Sequence, residues 1–353
     1  FHEAAVGRLA AFSPPRHGHE YALAIKSCDE ALDYAPGLST LGLRLARRCW
    51  PGPLALSVDV SGVDSLVQRL PESVRKLLLS HSRLNLRVPG HAILQGVLKL
   101  APAPLLLAEV PHPEGAGPTT AQEVVRLVGD HVQLVLDQGP ARIQQPPSVV
   151  RLNGAAYEIL RPGAFTDDNL RRLSSLMLVF VCTGNTCRSP MAEVLMRKRI
   201  ADRIGCPPEQ LEERGVWVLS AGVAAMSGGR ASPEADTAVS NWGMRLIHHE
   251  SQPVSERMVR FADLILAMTR GHREALLSQW PDASGRVHLL TRGKGDVSDP
   301  IGGPEELYQR CAEQIDSHLA SWVEELDLSQ LPGADAGPRP PRDDASPESP
   351  RRT

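Results

Sequence analysis

The sequence is poor in aromatic residues, nearly balanced in charge and free of long apolar runs. Aromatics make up 4% of its 353 residues, so its cores must be built from Leu, Val, Ala and Ile. A formal net charge of -3 excludes a global basic field of the kind that holds nucleic acid or an anionic membrane. No nucleic-acid partner is expected. Apolar runs such as Leu105-Leu106-Leu107-Ala108 and Leu176–Val181 have strand length, far short of the about 20 residues that span a bilayer. No membrane partner is expected either. Six cysteines, at 28, 49, 182, 187, 206 and 311, lack framework spacing. They fit a reducing cytosol better than a disulfide scaffold, so a cytoplasmic location is expected. No Cys/His pairs stand at finger spacing, so neither metal nor cofactor is implied. The chain opens on Phe1-His2-Glu3, with neither Met nor a signal-peptide pattern, which suggests a cut or fragmentary start.

What is present reads as two α/β domains. Hydrophobic residues reach 42%, and the length exceeds one ordinary core. Residues 1–165 mix expected helices (28–34, 41–49, 120–127) with expected strands (54–58, 84–88, 105–108, 132–136). The polar, Arg-rich residues 166–176 read as a linker. Residues 177–328 alternate strands and helices, which implies a Rossmann-like parallel sheet with flanking helices and chemistry at the carboxyl strand edge. Its last helix, from about Pro304, carries Leu307, Cys311, Ile315, Leu319, Trp322 and Leu326 on one stripe. Residues 329–353, rich in Pro and charge without apolar period, are expected to be disordered.

The chemistry concentrates in Val181-Cys182-Thr183-Gly184-Asn185-Thr186-Cys187-Arg188-Ser189-Pro190. A cysteine ends a strand, and five residues later Arg188 and Ser189 open a helix. Backbone N–H groups of a Gly-containing loop curl round a phosphate, and the helix N-terminus adds its positive end. Arg188 offers a planar fork for two phosphate oxygens. The same positive environment favours the thiolate of Cys182, the form able to attack phosphorus. Ser189 is placed to hydrogen-bond the sulfur and ease its departure. A leaving group needs a proton, and Asp299-Pro300, in a Gly-rich loop, is the candidate acid. A buried Cys beside a helix-capping Arg is the plain structural alternative, and Asp-Pro alone is an ordinary turn.

These residues, with Met191-Ala-Glu193, Ser220-Ala-Gly222 and Asp263–Met268, resemble the low-molecular-weight protein tyrosine phosphatases across residues 177–326. The resemblance implies Cys182 as nucleophile, Arg188 as phosphate clamp and Asp299 as general acid and then base. It implies a phosphate cradle of Thr183, Gly184, Asn185, Thr186, Cys187 and Ser189, supported by Ser220 and His249, and phosphorylated proteins as substrates. Tyrosine-specific members usually carry an aliphatic residue at the position of Thr186 and aromatic residues after Asp-Pro. Thr186 and Ile301-Gly302-Gly303 look more like the protein-arginine phosphatase branch, with phosphotyrosine the alternative substrate. Cys187, near Cys182, suggests a reversible Cys182–Cys187 disulfide. A phosphate-capturing module without turnover is a rival reading, against which all three of Cys182, Arg188 and Asp299 argue.

In the first domain, Trp50-Pro-Gly-Pro-Leu54, Leu86-Arg-Val-Pro-Gly-His91, Pro118-Thr-Thr-Ala121, Pro147-Ser-Val-Val150 and Leu160-Arg-Pro-Gly-Ala164 resemble, in order, the YrdC-like family over residues 12–164. That family makes threonylcarbamoyl-adenylate for tRNA modification. Its Lys-x-Arg and Ser-Ala-Asn signatures are missing here, and Val149 stands where a Thr is expected beside Ser148. The domain is expected to be degenerate, docking on the phosphatase domain or a partner. A bifunctional fusion that still makes the adenylate is the alternative.

Overall fold

The computed structural model of the chain describes residues 3–14, 21–110, 117–328 and 331. Its first half contains α1 (Glu3–Phe12), β1 (Ala22–Ala24), α2 (Ala31–Tyr34), α3 (Thr40–Cys49), β2 (Leu54–Asp59), α4 (Glu72–Leu78), β3 (Leu79–Ser80), β4 (Arg83–Arg87), α5 (Ala92–Leu100), β5 (Leu105–Leu107), α6 (Ala121–Val128), β6 (Ser148–Asn153) and β7 (Ala156–Arg161). The strands form one mixed sheet in the order β5-β1-β4-β2-β6-β7, with β3 paired to β4. Leu54 and Leu56, Leu84 and Leu86, and Val150 alternate inward along their strands and pack with Leu23 and Leu45 into one core. The low aromatic content is visible in that aliphatic composition.

Two expectations need adjustment. Residues 132–136, read as a strand, form none, and Leu134 and Leu136 are exposed. An apolar run that meets no neighbouring strand leaves its N–H and C=O groups to water. The expected linker is a helix, α7 (Asp167–Ser174), begun by a Thr166–Asn169 capping box and anchored by buried Leu170 in the first core. Beyond the expected strands, β6 and β7 form a hairpin that turns at Asn153-Gly154, with Gly154 at φ +61°, a strong turn signal. The tail expected to be disordered lies, from residue 332 on, outside the described residues.

The second half continues with β8 (Leu176–Cys182), α8 (Arg188–Ile204), β9 (Val216–Gly222), α9 (Pro233–Ser240), α10 (Glu256–Phe261), β10 (Leu264–Ala267), α11 (Arg270–Gln279), β11 (Val287–Leu289) and α12 (Glu305–Glu325). Its sheet is wholly parallel, in the order β11-β10-β8-β9. On one face lie α8, α9 and α12, with Phe180, Met191, Ile200, Ile315 and Leu319 between. On the other, Val179, Val181, Ile265 and Leu276 pack together. The α12 stripe is buried at Cys311, Ile315, Leu319 and Trp322, while Leu307 is 37% exposed.

From β8 the chain turns first to β9 on one side and then to β10 on the other. The strand order therefore reverses at β8, and such a switch point opens a crevice outside the carboxyl end of the strand. Cys182 is the last residue of β8. Among the described residues, no helix is long and apolar enough to cross a membrane.

Candidate active site

The loop 182–188 joins β8 to α8. Asn185 sits at φ +56°, a left-handed conformation that Asn tolerates better than most residues. It turns the backbone so that its own N–H points at Cys182 Sγ, 3.3 Å away. Ser189 Oγ lies 2.9 Å from the same sulfur. Cys182 and Ser189 are both buried, so the two contacts define the sulfur's position.

Asn185 is held from four sides. Its amide nitrogen donates to Ser189 Oγ at 3.0 Å and to Ser220 Oγ at 2.9 Å. Its Oδ1 accepts from Gln252 N at 2.9 Å. Its backbone carbonyl lies 2.7 Å from His249 Nε2, and since a carbonyl only accepts, that nitrogen must carry the proton. Ser220 Oγ in turn donates to Glu193 Oε2 at 2.6 Å. Burial pushes the Glu193 carboxyl up, against the lowering pull of Ser220 and His249.

Close approach makes Gly222 obligatory. A Cβ there would stand 2.4 Å from Thr183 O and 3.0 Å from Asn185 N. The Ser220-Ala-Gly222 segment therefore supplies one hydroxyl and one missing side chain to the same loop.

Arg188 is buried in the first turn of α8. Its NH2 lies 2.6 Å from Asp299 Oδ2, and its NH1 lies 3.5 Å from Val297 O. Asp299, in the loop between β11 and α12, keeps a side chain 45% exposed. The carboxyl is thus both beside the guanidinium and open to solvent. Cys187 Sγ sits 3.4 Å from Ser232 Oγ and 3.7 Å from Tyr308 hydroxyl. Ile301 is exposed, and none of Ile301, Gly302 and Gly303, the three residues after Pro300, carries a ring.

The structure brings together Cys182, Asn185, Ser189, Ser220 and His249 in one network and pairs Arg188 with Asp299. Sequence reasoning missed His272, Gln252 and the contact made by Glu193. Glu193 lies four residues after Ser189, on the same helix face, a spacing that was available. Nothing in the sequence marked His272. Its Nε2 lies 2.8 Å from Thr183 Oγ1, and its buried Nδ1 has no hydrogen-bond partner. Burial first, and Arg188 second, push the imidazole down to about 4, so it is neutral near pH 7.

A strand-end thiol beside a hydroxyl, at the N-terminus of a helix that carries an arginine fork, with a carboxyl paired to that fork, defines a cysteine-dependent phosphatase. Comparison with known proteins agrees. The model of the low molecular weight phosphotyrosine protein phosphatases matches residues 177–331, and the telomere recombination (Sua5/YciO/YrdC) model matches residues 1–163. Over 153 residues the chain is 39% identical to a protein-arginine-phosphatase of Bacillus subtilis, covering 42% of this chain and 95% of that protein. A protein-arginine-phosphatase of Geobacillus stearothermophilus is 34% identical over 157 residues, 43% of this chain and 97% of that one. A low molecular weight protein-tyrosine-phosphatase of Staphylococcus haemolyticus is 33% identical over 148 residues, 40% of this chain and 92% of that one. The chain belongs to the low-molecular-weight protein phosphatase family, and its residues 1–163 are similar to the Sua5/YrdC family.

Proposed function

We propose that this chain removes phosphate from phosphoarginine in proteins through a phosphocysteine intermediate on Cys182. In the first step the Cys182 thiolate attacks phosphorus and the P–N bond breaks. The proton for the departing guanidine nitrogen comes from the Asp299 carboxyl, and Arg188 holds two phosphoryl oxygens. In the second step the Asp299 carboxylate takes a proton from water, the water oxygen attacks phosphorus and the P–S bond breaks. Ser189, 2.9 Å from the sulfur, stabilises the returning thiolate, and inorganic phosphate leaves.

The observation that carries the substrate assignment is the identity of the residues in the loop and after Asp299-Pro300. Thr186 is a small polar residue, and Ile301-Gly302-Gly303 presents no ring on which a phenyl group would stack. The similarity to two protein-arginine-phosphatases supports the same reading. Phosphotyrosine is the competing substrate, favoured by the similarity to tyrosine phosphatases. Hydrolysis of matched phosphoarginine and phosphotyrosine peptides by wild type and Cys182→Ser tests both points. Wild type is expected to prefer phosphoarginine and the variant to lose turnover. Activity surviving in Cys182→Ser would sink the nucleophile assignment, and a preference for phosphotyrosine would overturn the substrate.

Residues 1–165 are, on this reading, a domain whose own chemistry is lost. Ser148, the polar group retained from the family signature, is fully buried. Its hydroxyl donates to Phe165 O at 3.2 Å and accepts from Phe165 N at 2.9 Å. A hydroxyl engaged in this way has little left for a substrate. A threonine- and bicarbonate-dependent release of pyrophosphate from ATP would reverse this conclusion.

A further inference from the structure

Asp263 precedes β10 at the end of the sheet opposite the Cys182 loop, and its carboxylate draws three arginines from one turn of α3. Arg44, Arg47 and Arg48 stand at i, i+3 and i+4, so they share a helix face. Arg47 NH2 lies 2.6 Å from Asp263 Oδ1, and Arg48 NH2 lies 3.0 Å from Oδ2. Arg44 Nε also approaches Oδ2 at 3.0 Å, but its N–H is not aligned on that oxygen, so this contact is one of charge. Met177 N–H, at the start of β8, donates to the same carboxylate at 2.9 Å.

Three positive charges on one negative leave a surplus, and helix ends absorb it. Arg44 NH1 donates to Ser174 O, and Arg48 NH1 donates to Leu173 O and Ser175 O, all at 2.7 Å. These are the unpaired carbonyls at the end of α7. Arg48 Nε donates to Phe261 O at 3.0 Å, at the end of α10, and Arg47 Nε to Arg260 O, also at 3.0 Å. In return, Arg260 of α10 donates to Arg47 O at 3.1 Å and Trp50 O at 2.7 Å, at the end of α3. Three helix C-termini, whose orphan carbonyls and negative dipole ends favour cations, thus converge and are capped by arginines from another element. The Arg48 guanidinium also lies 5.7 Å from the centre of the Phe261 ring, and its side chain is only 2% exposed.

We infer that the N-terminal domain is a fixed intramolecular partner of the phosphatase domain, docked in one orientation by the α3 arginine clasp on Asp263. The occupant of this surface is the chain's own first domain, because the capping is reciprocal: α3 supplies cations to α10, and α10 supplies one to α3. A buried ion cluster is poor evidence for net stability, but its geometry specifies one arrangement. The clasp therefore gives the first domain a role that needs none of its former chemistry.

The test uses the full chain and two variants, Arg47→Gln and Arg260→Gln, at positions removed from both cores. Unfolding is followed by calorimetry, and amide exchange is read at Met177, Phe261 and Asp263. Wild type is expected to unfold in one transition with these amides protected. In each variant, exchange at these amides should rise at least tenfold, while hydrolysis of an aryl phosphate stays within twofold. Two independent transitions in wild type, or unchanged exchange in both variants, would overturn the inference. The readout does not depend on which phosphorylated residue the enzyme prefers.

Discussion

At the scale of single residues, the Cys182 loop is specified by polar groups that contact one another more than they contact solvent. Asn185 is the hinge of this arrangement. Asn185→Ala removes two donors and one acceptor while leaving the Ser189 and Ser220 hydroxyls buried, each short of a partner. Buried polar groups left unmade cost about 1–3 kcal/mol apiece, so the variant should lose both stability and turnover. Asp299→Asn keeps the shape and removes the transferable proton, and turnover should fall by roughly 10²–10⁴-fold with little change in melting temperature. Equal kcat in the variant would exclude Asp299 as the acid. His272 makes a separate prediction. Its folded value of about 4 lies below the ordinary imidazole value of about 6.5. The unfolded chain therefore takes up the proton first as pH falls. The stabilisation is complete above about pH 6.5 and is lost on the way down to about pH 4. His272→Gln should flatten that limb in a plot of melting temperature against pH, and an unchanged limb would show that another group is responsible.

At the scale of elements, β8, its loop and α8 were legible because three local signals coincide there. An apolar run, a Gly-containing turn and a first-turn proline all point to strand, loop and helix. The same held for α12, where the apolar period is regular. The first domain was harder to read, because β6 and β7 stand in the sequence mainly as Pro- and Gly-flanked tetrapeptides. Residues 132–136 misled for the opposite reason: they carry strand composition but meet no partner strand. The His272–Thr183 contact joins residues 89 apart, and no spacing rule reaches that far. The loop after β11 makes the element-scale prediction. Exchanging Ile301 for Tyr adds a ring beside Asp299-Pro300, and Thr186→Ile makes that position of the loop aliphatic. Together they should shift the ratio of phosphoarginine to phosphotyrosine hydrolysis towards phosphotyrosine by 10-fold or more, a change of about 1.4 kcal/mol. A ratio of kcat/KM values that does not move would assign selectivity to another part of the site.

At the scale of the whole molecule, the described residues of the two domains keep separate apolar cores and meet at the charged clasp of α3 on Asp263, which makes the junction sensitive to acid. Burial opposes the charged form of Asp263, but Arg44, Arg48, Arg47 and the Met177 N–H outweigh it and hold the carboxyl below its usual range. Arg286 adds to the positive surroundings and donates to Val259 O and Ala262 O at 2.6 Å. Burial lowers Arg48 to about 10, which leaves it charged at neutral pH. With a folded value below the ordinary carboxylate value of about 3.9, the contribution of Asp263 is complete above that pH and fades as pH falls through the lower folded value. The junction should therefore hold from pH 7 to about pH 4 and open below it, with the radius of gyration rising in small-angle scattering. Because His272 weakens the phosphatase domain over a higher pH window, Asp263→Asn at pH 7 separates the two causes. That variant removes the charge without acid, and it should raise amide exchange at Met177 and Phe261 while leaving the Cys182 loop protected. A junction that opens already at pH 6 in wild type would assign its acid sensitivity to another group, and one that is indifferent to Asp263→Asn would show that the arginines are held by the helix-end carbonyls alone.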